Sequence, residues 1–469
     1  MTVVQRMASF ITNQTFDNLS EAAKEQIKIR ILDSLGTAIG AVEGEPVRLI
    51  REQIEEFSHN HNGKCTLIGG GSTSPDYAAL YNSALVRYLD FNDSYLAKGE
   101  TCHPSDNFGS VLAAGEYNKI TGKELMLAFA IAYQVQCRLS DEAPVRDKGF
   151  DHTTQGAYAV AAGVSSALNL DDERTANALA ISGTPLNALR VTRTGALSHW
   201  KGLAYPYTAF GATTSTFLAM RGITGPMEVF EGNKGFQESI AGNFQINWSK
   251  ENLEKVTQTI IKQFNAEIHS QATLEGALEL KNKYSIDPED INHIEIVTFS
   301  VAYNIIGGGE EGDKTIVRIK EEADHSLQYM TAVALIDGQV LPDQYKPDRI
   351  TREDVQTLLK KIKVTAADEY SARFPDEMPC HITIHMENGD KYEIDKSDYE
   401  GFHTRPMSWD TITEKFKQLA RPYTTERLRN HIIDLIHNLE DHKVKDLTHL
   451  LAQVKIPEYR VANQGTVNR

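Results

Sequence analysis

The stretch Cys380-His381-Ile382-Thr383-Ile384-His385-Met386-Glu387-Asn388-Gly389-Asp390-Lys391-Tyr392-Glu393-Ile394 alternates branched and polar residues. A period of two belongs to half-buried strands, and Glu387-Asn388-Gly389-Asp390 inside it supplies the turn chemistry of a hairpin. His293 to Tyr303 alternates in the same way. Between the two, His325 to Leu335 and Arg352 to Ile362 carry a helical pattern. Residues 266–402 therefore read as an α+β unit.

On either side the period changes. From Leu19 to about Asn265 the pattern is helical: Ser20 can cap a helix in which Ile27, Ile31, Leu35 and Ala38 share one stripe, with Glu21 against the positive end of the dipole. Ser74-Pro75 offers a cap and a first-turn proline before the run Tyr77 to Leu89, which puts Asp90 at or just beyond a helix C-terminus. Val111 to Leu139, Gly156 to Leu168 and Glu173 to Ile181 are rich in Ala, Leu and Gly, the small residues of closely packed helices. The helical pattern returns from Met407 to about Leu451, in Ile412, Phe416, Leu419, Leu428, Ile432 and Leu435. A chain of 469 residues is also too long for a single ordinary core. The expected fold is mainly α: a large all-helical domain built from both chain ends, residues 1–265 plus 403–469, with a smaller inserted α+β lid domain, 266–402.

A formal charge of -16 argues against nucleic acid and anionic lipid as partners, which need clustered Lys and Arg. Cys65, Cys102, Cys137 and Cys380 stand apart without a Cys-x-x-Cys pair, which suggests neither a disulfide framework nor a zinc or iron-sulfur site. No apolar run reaches the roughly 18 residues that cross a bilayer, and the start lacks a signal-peptide pattern, so the protein is expected to be cytoplasmic. Gly69-Gly70-Gly71 and Gly307-Gly308-Gly309 lack phosphate-loop and dinucleotide spacing. His381-x-x-x-His385 lacks the Glu of a zincin and falls on a strand, where the two histidines can share a face. No metal is assigned.

Polar residues concentrate in five places. Arg87-Tyr88-Leu89-Asp90-Phe91-Asn92-Asp93-Ser94-Tyr95, followed by His103-Pro104-Ser105-Asp106-Asn107, reads either as a catalytic loop or as a solvated Asn/Asp-rich loop with Asp106 as a cap. Lys148-Gly149-Phe150-Asp151-His152-Thr153-Thr154 sets His152 near a helix N-terminus, where it is a neutral imidazole suited to proton transfer or a simple cap. Arg190, Arg193, His199 and Lys201 form a cationic stretch with little acid nearby, able to hold carboxylates or to sit solvated. Lys262 to Gln271 straddles the domain junction, a favoured place for ligands, although Glu267 and His269 also suit a helix cap. Asp324-His325 before Ser326 has the same two readings.

Taken together, these strings resemble the MmgE/PrpD family of 2-methylcitrate dehydratases, whose relatives include cis-aconitate decarboxylase. The resemblance is carried by Tyr88 to Ser94, His103 to Asn107, Lys148 to His152, Ala266 to Gln271 and Asp324 to Tyr329. It implies a helical large domain with an α+β lid, a homodimer, and catalysis without metal or organic cofactor. The family's active-site positions transfer to Asp90, Ser94, His103, His152, Lys201, Lys262 and Tyr303. Ser94 stands where decarboxylase relatives have Thr, and Glu267 where the decarboxylase has His, whereas the dehydratases keep Glu followed by His-Ser-Gln.

The activity so implied is dehydration of 2-methylcitrate to 2-methylaconitate, with citrate a slower second substrate, in propionate and methylcitrate metabolism. The alternatives are a cis-aconitate decarboxylase or another carboxylic-acid lyase or isomerase, and a non-enzymatic helical binding protein. Removing water from a small tricarboxylate needs a base, an acid and fixed positive charge. His103 and His152 are expected to move the protons, with Asp90 orienting one imidazole. Lys201 and Lys262 are expected to hold carboxylates, and Ser94, Tyr303, Glu267 and His269 to touch the substrate.

Overall fold

The computed structural model describes residues 1–57, 63–195 and 197–457. Residues 458–469 of the expected helical segment lie outside the described residues. The chain is mainly α.

Helix Glu21–Gly40 begins where the Ser20 hydroxyl accepts the Ala23 amide at 3.0 Å, and Ile27, Ile31, Leu35 and Ala38 are buried on it. Helix Pro75–Tyr88 starts with its proline in the first turn after Ser74 and ends at the cap Leu89. Asp90 follows with φ 56°, in the left-handed region that a short polar side chain tolerates, so the chain turns sharply out of the helix there. The stretch Val111 to Leu139 is two helices, Phe108–Asn118 and Gly122–Glu142. Lys119, left-handed at φ 61°, closes the first, and a capping box between Thr121 and Glu124 opens the second. A Cβ on Gly109 would lie 2.5 Å from the Ser83 backbone nitrogen, so helix Phe108–Asn118 crosses Pro75–Tyr88 backbone against backbone. That crossing fixes both ends of the loop from Asp90 to Asn107.

The second half holds a four-stranded sheet in the order Ile362–Ala366, Ile291–Thr298, Cys380–Met386, Lys391–Lys396, with the first pair parallel and the others antiparallel. The hairpin expected around Asn388-Gly389 joins the last two, from Cys380 opposite Lys396 to His385 opposite Lys391. Two expectations are corrected. The strand read over His293 to Tyr303 stops at Thr298, and Tyr303 lies on a helical turn. The helix read over Arg352 to Ile362 ends at Leu358, and Ile362 opens a strand. Ile294, Ile296, Ile382 and Ile384 are buried, and helix Gln271–Tyr284 packs close enough that a Cβ on Gly276 would lie 3.0 Å from Ile382. His293 and His385 stand opposite each other on the same sheet, their rings stacked at 4.2 Å.

Buried apolar side chains fall into two main sets. One gathers residues from Val4 to Ile261 and from Met407 to Val454, the other from Ile260 to Phe402. The loop after Asp90 is tied to the strip between these sets, because Ser94 and Ile260 exchange two backbone hydrogen bonds of 2.8 Å. All four cysteines are free and buried. Among the described residues no helix is long and apolar enough to cross a membrane.

Candidate active site

A cleft of about 490 Å³, counted with the solvent-open space at its mouth, is lined on one side by residues between Arg87 and Arg193 and on the other by residues between Lys262 and His325. Asp90 is the hub of its charges. Its Oδ1 accepts from Arg87 at 2.7 Å and from Lys262 Nζ at 2.8 Å, and its Oδ2 from Lys201 Nζ at 3.0 Å. Lys262 Nζ also donates to the Asp90 carbonyl at 2.6 Å. Burial by itself would raise the carboxyl, but Arg87, then Lys201 and Lys262, hold it well below the usual carboxylate range. Asp90 therefore remains an anion that collects three cations, Arg87 from three residues before it and Lys201 and Lys262 from 111 and 172 residues after it.

His103 follows the short strand Glu100–Cys102, and its Nδ1 lies 2.8 Å from the Asp93 carbonyl and 3.0 Å from Ser94 Oγ. A carbonyl only accepts, so Nδ1 carries the proton and Nε2 keeps its lone pair. Burial, then the charges of Arg87 and Lys262, push the imidazole well below its ordinary value. His152 stands at the head of helix Thr153–Ala167 but makes no capping bond with its side chain. Burial lowers it to about 3 despite Asp151, with Arg193 and Arg87 adding to the effect. The two rings meet edge to face at 5.5 Å, and both are neutral imidazoles at neutral pH.

The cationic stretch is not short of acid. Arg193 bonds both oxygens of Asp151, and Arg190 donates to Glu311 at 2.9 Å, a bond that crosses the cleft. Arg146 also approaches Glu311, at 3.6 Å. Glu100 accepts the backbone amides of Val145 and Arg146 at 3.2 and 3.0 Å, yet burial raises it to about 7. Asp106, buried behind Arg87, rises to about 7 for the same first reason.

On the opposite side Glu267 and Asp324 lie below the ordinary carboxylate range. Glu267 holds the ring Nδ1 of His269 at 2.7 Å through one oxygen and the His269 amide at 2.8 Å through the other. It thus caps the turn Ile268–Ser270 and also fixes an imidazole. Burial opposes its charge, but His269 brings it down to about 2. Lys201 Nζ lies among Asp90, Asp324 (3.3 Å) and His325 Nδ1 (3.1 Å). Those three side chains converge closely enough to hold a metal ion, and the lysine ammonium fills the place between them. His325 Nδ1 also sits 2.7 Å from Asp324.

Of the residues singled out from sequence, Asp90, His103, His152, Lys262, Glu267 and His269 line the cleft together. Ser94 stands one bond behind, against His103, and Lys201 stands behind Asp90. Tyr303 is half-buried and is not among the lining residues, although its neighbour Ile305 is. His199, at the exposed start of helix Trp200–Met220, points to Glu45 at 4.0 Å instead. Arg146, Glu100 and Glu311 were missed by sequence reasoning. Their neighbours give no motif, and only the fold brings them to the cleft.

A buried cleft that sets imidazoles beside guanidinium and ammonium groups, on a mainly α scaffold, is an enzyme site for a small anionic molecule. The chain belongs to the MmgE/PrpD family: the N-terminal domain of that family matches residues 5–249, and its C-terminal domain residues 264–441. It is similar to cis-aconitate decarboxylase of Mus musculus, with 25% identity across 94% of this chain and 91% of the relative. It is also similar to 2-methylcitrate dehydratase of Escherichia coli K12, with 26% identity across 87% of this chain and 88% of the relative. A mitochondrial 2-methylcitrate dehydratase of Yarrowia lipolytica matches at 26% identity, over 89% of this chain and 84% of the relative. The family resemblance read from the motifs is therefore correct, and the chain is a lyase-type enzyme.

Proposed function

We propose that this lyase removes water from 2-methylcitrate to give 2-methylaconitate, with citrate to aconitate as a slower second reaction, within methylcitrate metabolism. The observation that carries the reading is the grouping of Arg87, Arg146, Arg190, Arg193 and Lys262 around one cleft with His103, His152 and His269. A tricarboxylate needs several fixed cations, and elimination needs an imidazole beside the carbon that loses its proton. Glu267 favours dehydration over decarboxylation. Loss of carbon dioxide leaves a carbanion that must be protonated, and a carboxyl held at about 2 is no proton donor.

In this reading His103 and His152 contact the substrate hydroxyl, Ser94 positions His103, and Lys262 with the arginines holds carboxylates. Lys201 works through Asp90 and does not bind a carboxylate itself. The segment 266–402 acts as a lid over the cleft, and the enzyme is a cytoplasmic homodimer; light scattering of the purified protein in solution checks the dimer.

The test of the activity is incubation with 2-methylcitrate while the absorbance of the conjugated alkene is followed, beside a parallel assay for carbon dioxide release from cis-aconitate. Alkene formation from 2-methylcitrate is expected. Carbon dioxide release without dehydration would replace this reading with the decarboxylase.

A further inference from the structure

We infer that His269, braced by Glu267, is the base that takes the proton from the carbon of the substrate; the inference rests on the hydro-lyase reading above. Four imidazoles line the cleft, those of His103, His152, His269 and His325, and they differ in what surrounds them. A proton on His103 is opposed by Arg87 and Lys262, and the Asp151 carboxylate 3.3 Å from His152 Nδ1 is already taken through both oxygens by Arg193. His325 shares the Asp324 carboxylate with Lys201 and Lys320, so that negative charge is already matched. His269 has a carboxylate to itself, because both oxygens of Glu267 bond to it, one on ring Nδ1 and one on its own amide.

That arrangement assigns the atoms. The carboxylate accepts, so Nδ1 carries the proton and Nε2 presents a lone pair. Nε2 is buried and has no hydrogen-bond partner, in a residue only 2% exposed that lines the cleft. Buried polar atoms are usually partnered, and an orphan on a residue that lines the cleft points to a group that arrives with the substrate; His152 Nε2 is unpartnered too, so the bracing carboxylate is what sets His269 apart. Phe299 and Phe374, stacked on each other at 4.5 Å and each with its ring 5.6 Å from that of His269, give the imidazole one apolar side to rest against.

The step balances within the dyad. A bond forms between Nε2 and the proton as the C–H bond beside a substrate carboxylate breaks, and the electron pair is held as enolate-like charge by the surrounding cations. That pair then forms the C=C bond as the C–O bond breaks. The departing hydroxide takes the proton back from the His269 imidazolium, so water leaves and the dyad is restored. Glu267 touches no reacting atom and is a positioning residue: its negative charge stabilises the imidazolium and its geometry fixes the tautomer.

The test compares wild type, H269A, E267Q and E267D in steady-state dehydration of 2-methylcitrate. For H269A a loss of about 10² to 10⁴ in kcat with KM nearly unchanged is expected, and added imidazole should restore part of it. E267Q should lower kcat with KM nearly unchanged, because the ring loses the acceptor that fixes its tautomer, and E267D should restore part of the rate. Near wild-type kcat in H269A overturns the inference, and so does near wild-type kcat in a folded E267Q, which carries the test by itself if H269A does not fold. A wild-type enzyme that turns over neither 2-methylcitrate nor citrate overturns the hydro-lyase reading first, whatever the variants do.

Discussion

On the wall built from residues between Arg87 and Arg193, His103 and His152 share their nearby carboxylates, Asp90 and Asp151, with arginines and lysines, whereas on the wall from Glu267 to His325 the rings of His269 and His325 each hold a carboxylate oxygen at 2.7 Å. Two glutamates differ across the cleft, although Asp90 and Asp151 on the first wall stay ionised through their own cations. Glu100 on the first wall is raised to about 7, while Glu267 on the second is held at about 2. Burial acts in one direction on both walls, disfavouring charge. The nearest opposite charge decides which carboxyl resists it: Glu267 holds the His269 ring and stays ionised, whereas Glu100 meets only backbone amides at hydrogen-bond distance and does not.

Asp90 is where the comparison can be broken most severely. Replacing it by Asn leaves Arg87, Lys201 and Lys262 buried without their shared anion, and loss of one partner of a buried pair costs roughly 3–5 kcal/mol. A large fall in melting temperature is expected, and an unchanged one would mean that the cations are not held as described.

The two glutamates should answer pH with opposite sign. Glu267 has its ordinary value of 4.5 lowered to about 2, so its contribution is present above 4.5 and lost as pH falls toward 2. Glu100, with 4.5 raised to about 7, costs stability as pH rises from 4.5 to 7. Denaturant titrations should find Glu267→Gln less stable than wild type by about 3 kcal/mol at neutral pH, and Glu100→Gln more stable by about the same amount above pH 7. The two differences should fade at low pH, for Glu100→Gln below 4.5. Curves of the same sign would erase the contrast between the walls.

Arg190 joins the walls through Glu311, and Arg190→Ala should raise KM about tenfold with little change in kcat, since a charge-assisted contact to an anion is lost. The smallest effect belongs to Glu238→Gln. Its partner Lys234 is exposed, and thermal melts should not distinguish the variant from wild type.

Local chemistry made much of this legible. The cap at Ser20, the first-turn Pro75, the position of Asp90 just past its helix and the Asn388-Gly389 hairpin all follow from interactions a few residues long. The strand Ile362–Ala366 was hidden because it is five residues long and follows a helical stretch directly, and its pairing with Ile291–Thr298 is set by tertiary contact. The acids around Arg193 and Arg190 were equally hidden. Asp151 is 42 residues from Arg193, and Glu311 is 121 from Arg190. His152 was read as neutral from its place at a helix end, and it is neutral, but burial and its guanidinium neighbours are the stronger causes.

Lys201 occupies the centre of a trio, Asp90, Asp324 and His325, that has the makings of a chelate. A cation on a four-carbon tether is synthesised with the chain in fixed proportion, one per molecule. It cannot be scavenged, exchanged for a competing ion or lost on dilution, so this corner of the protein does not depend on trace-element supply. The same tether takes away a freedom: its charge cannot be tuned by loading a different ion, only by the electrostatics of the three groups around it.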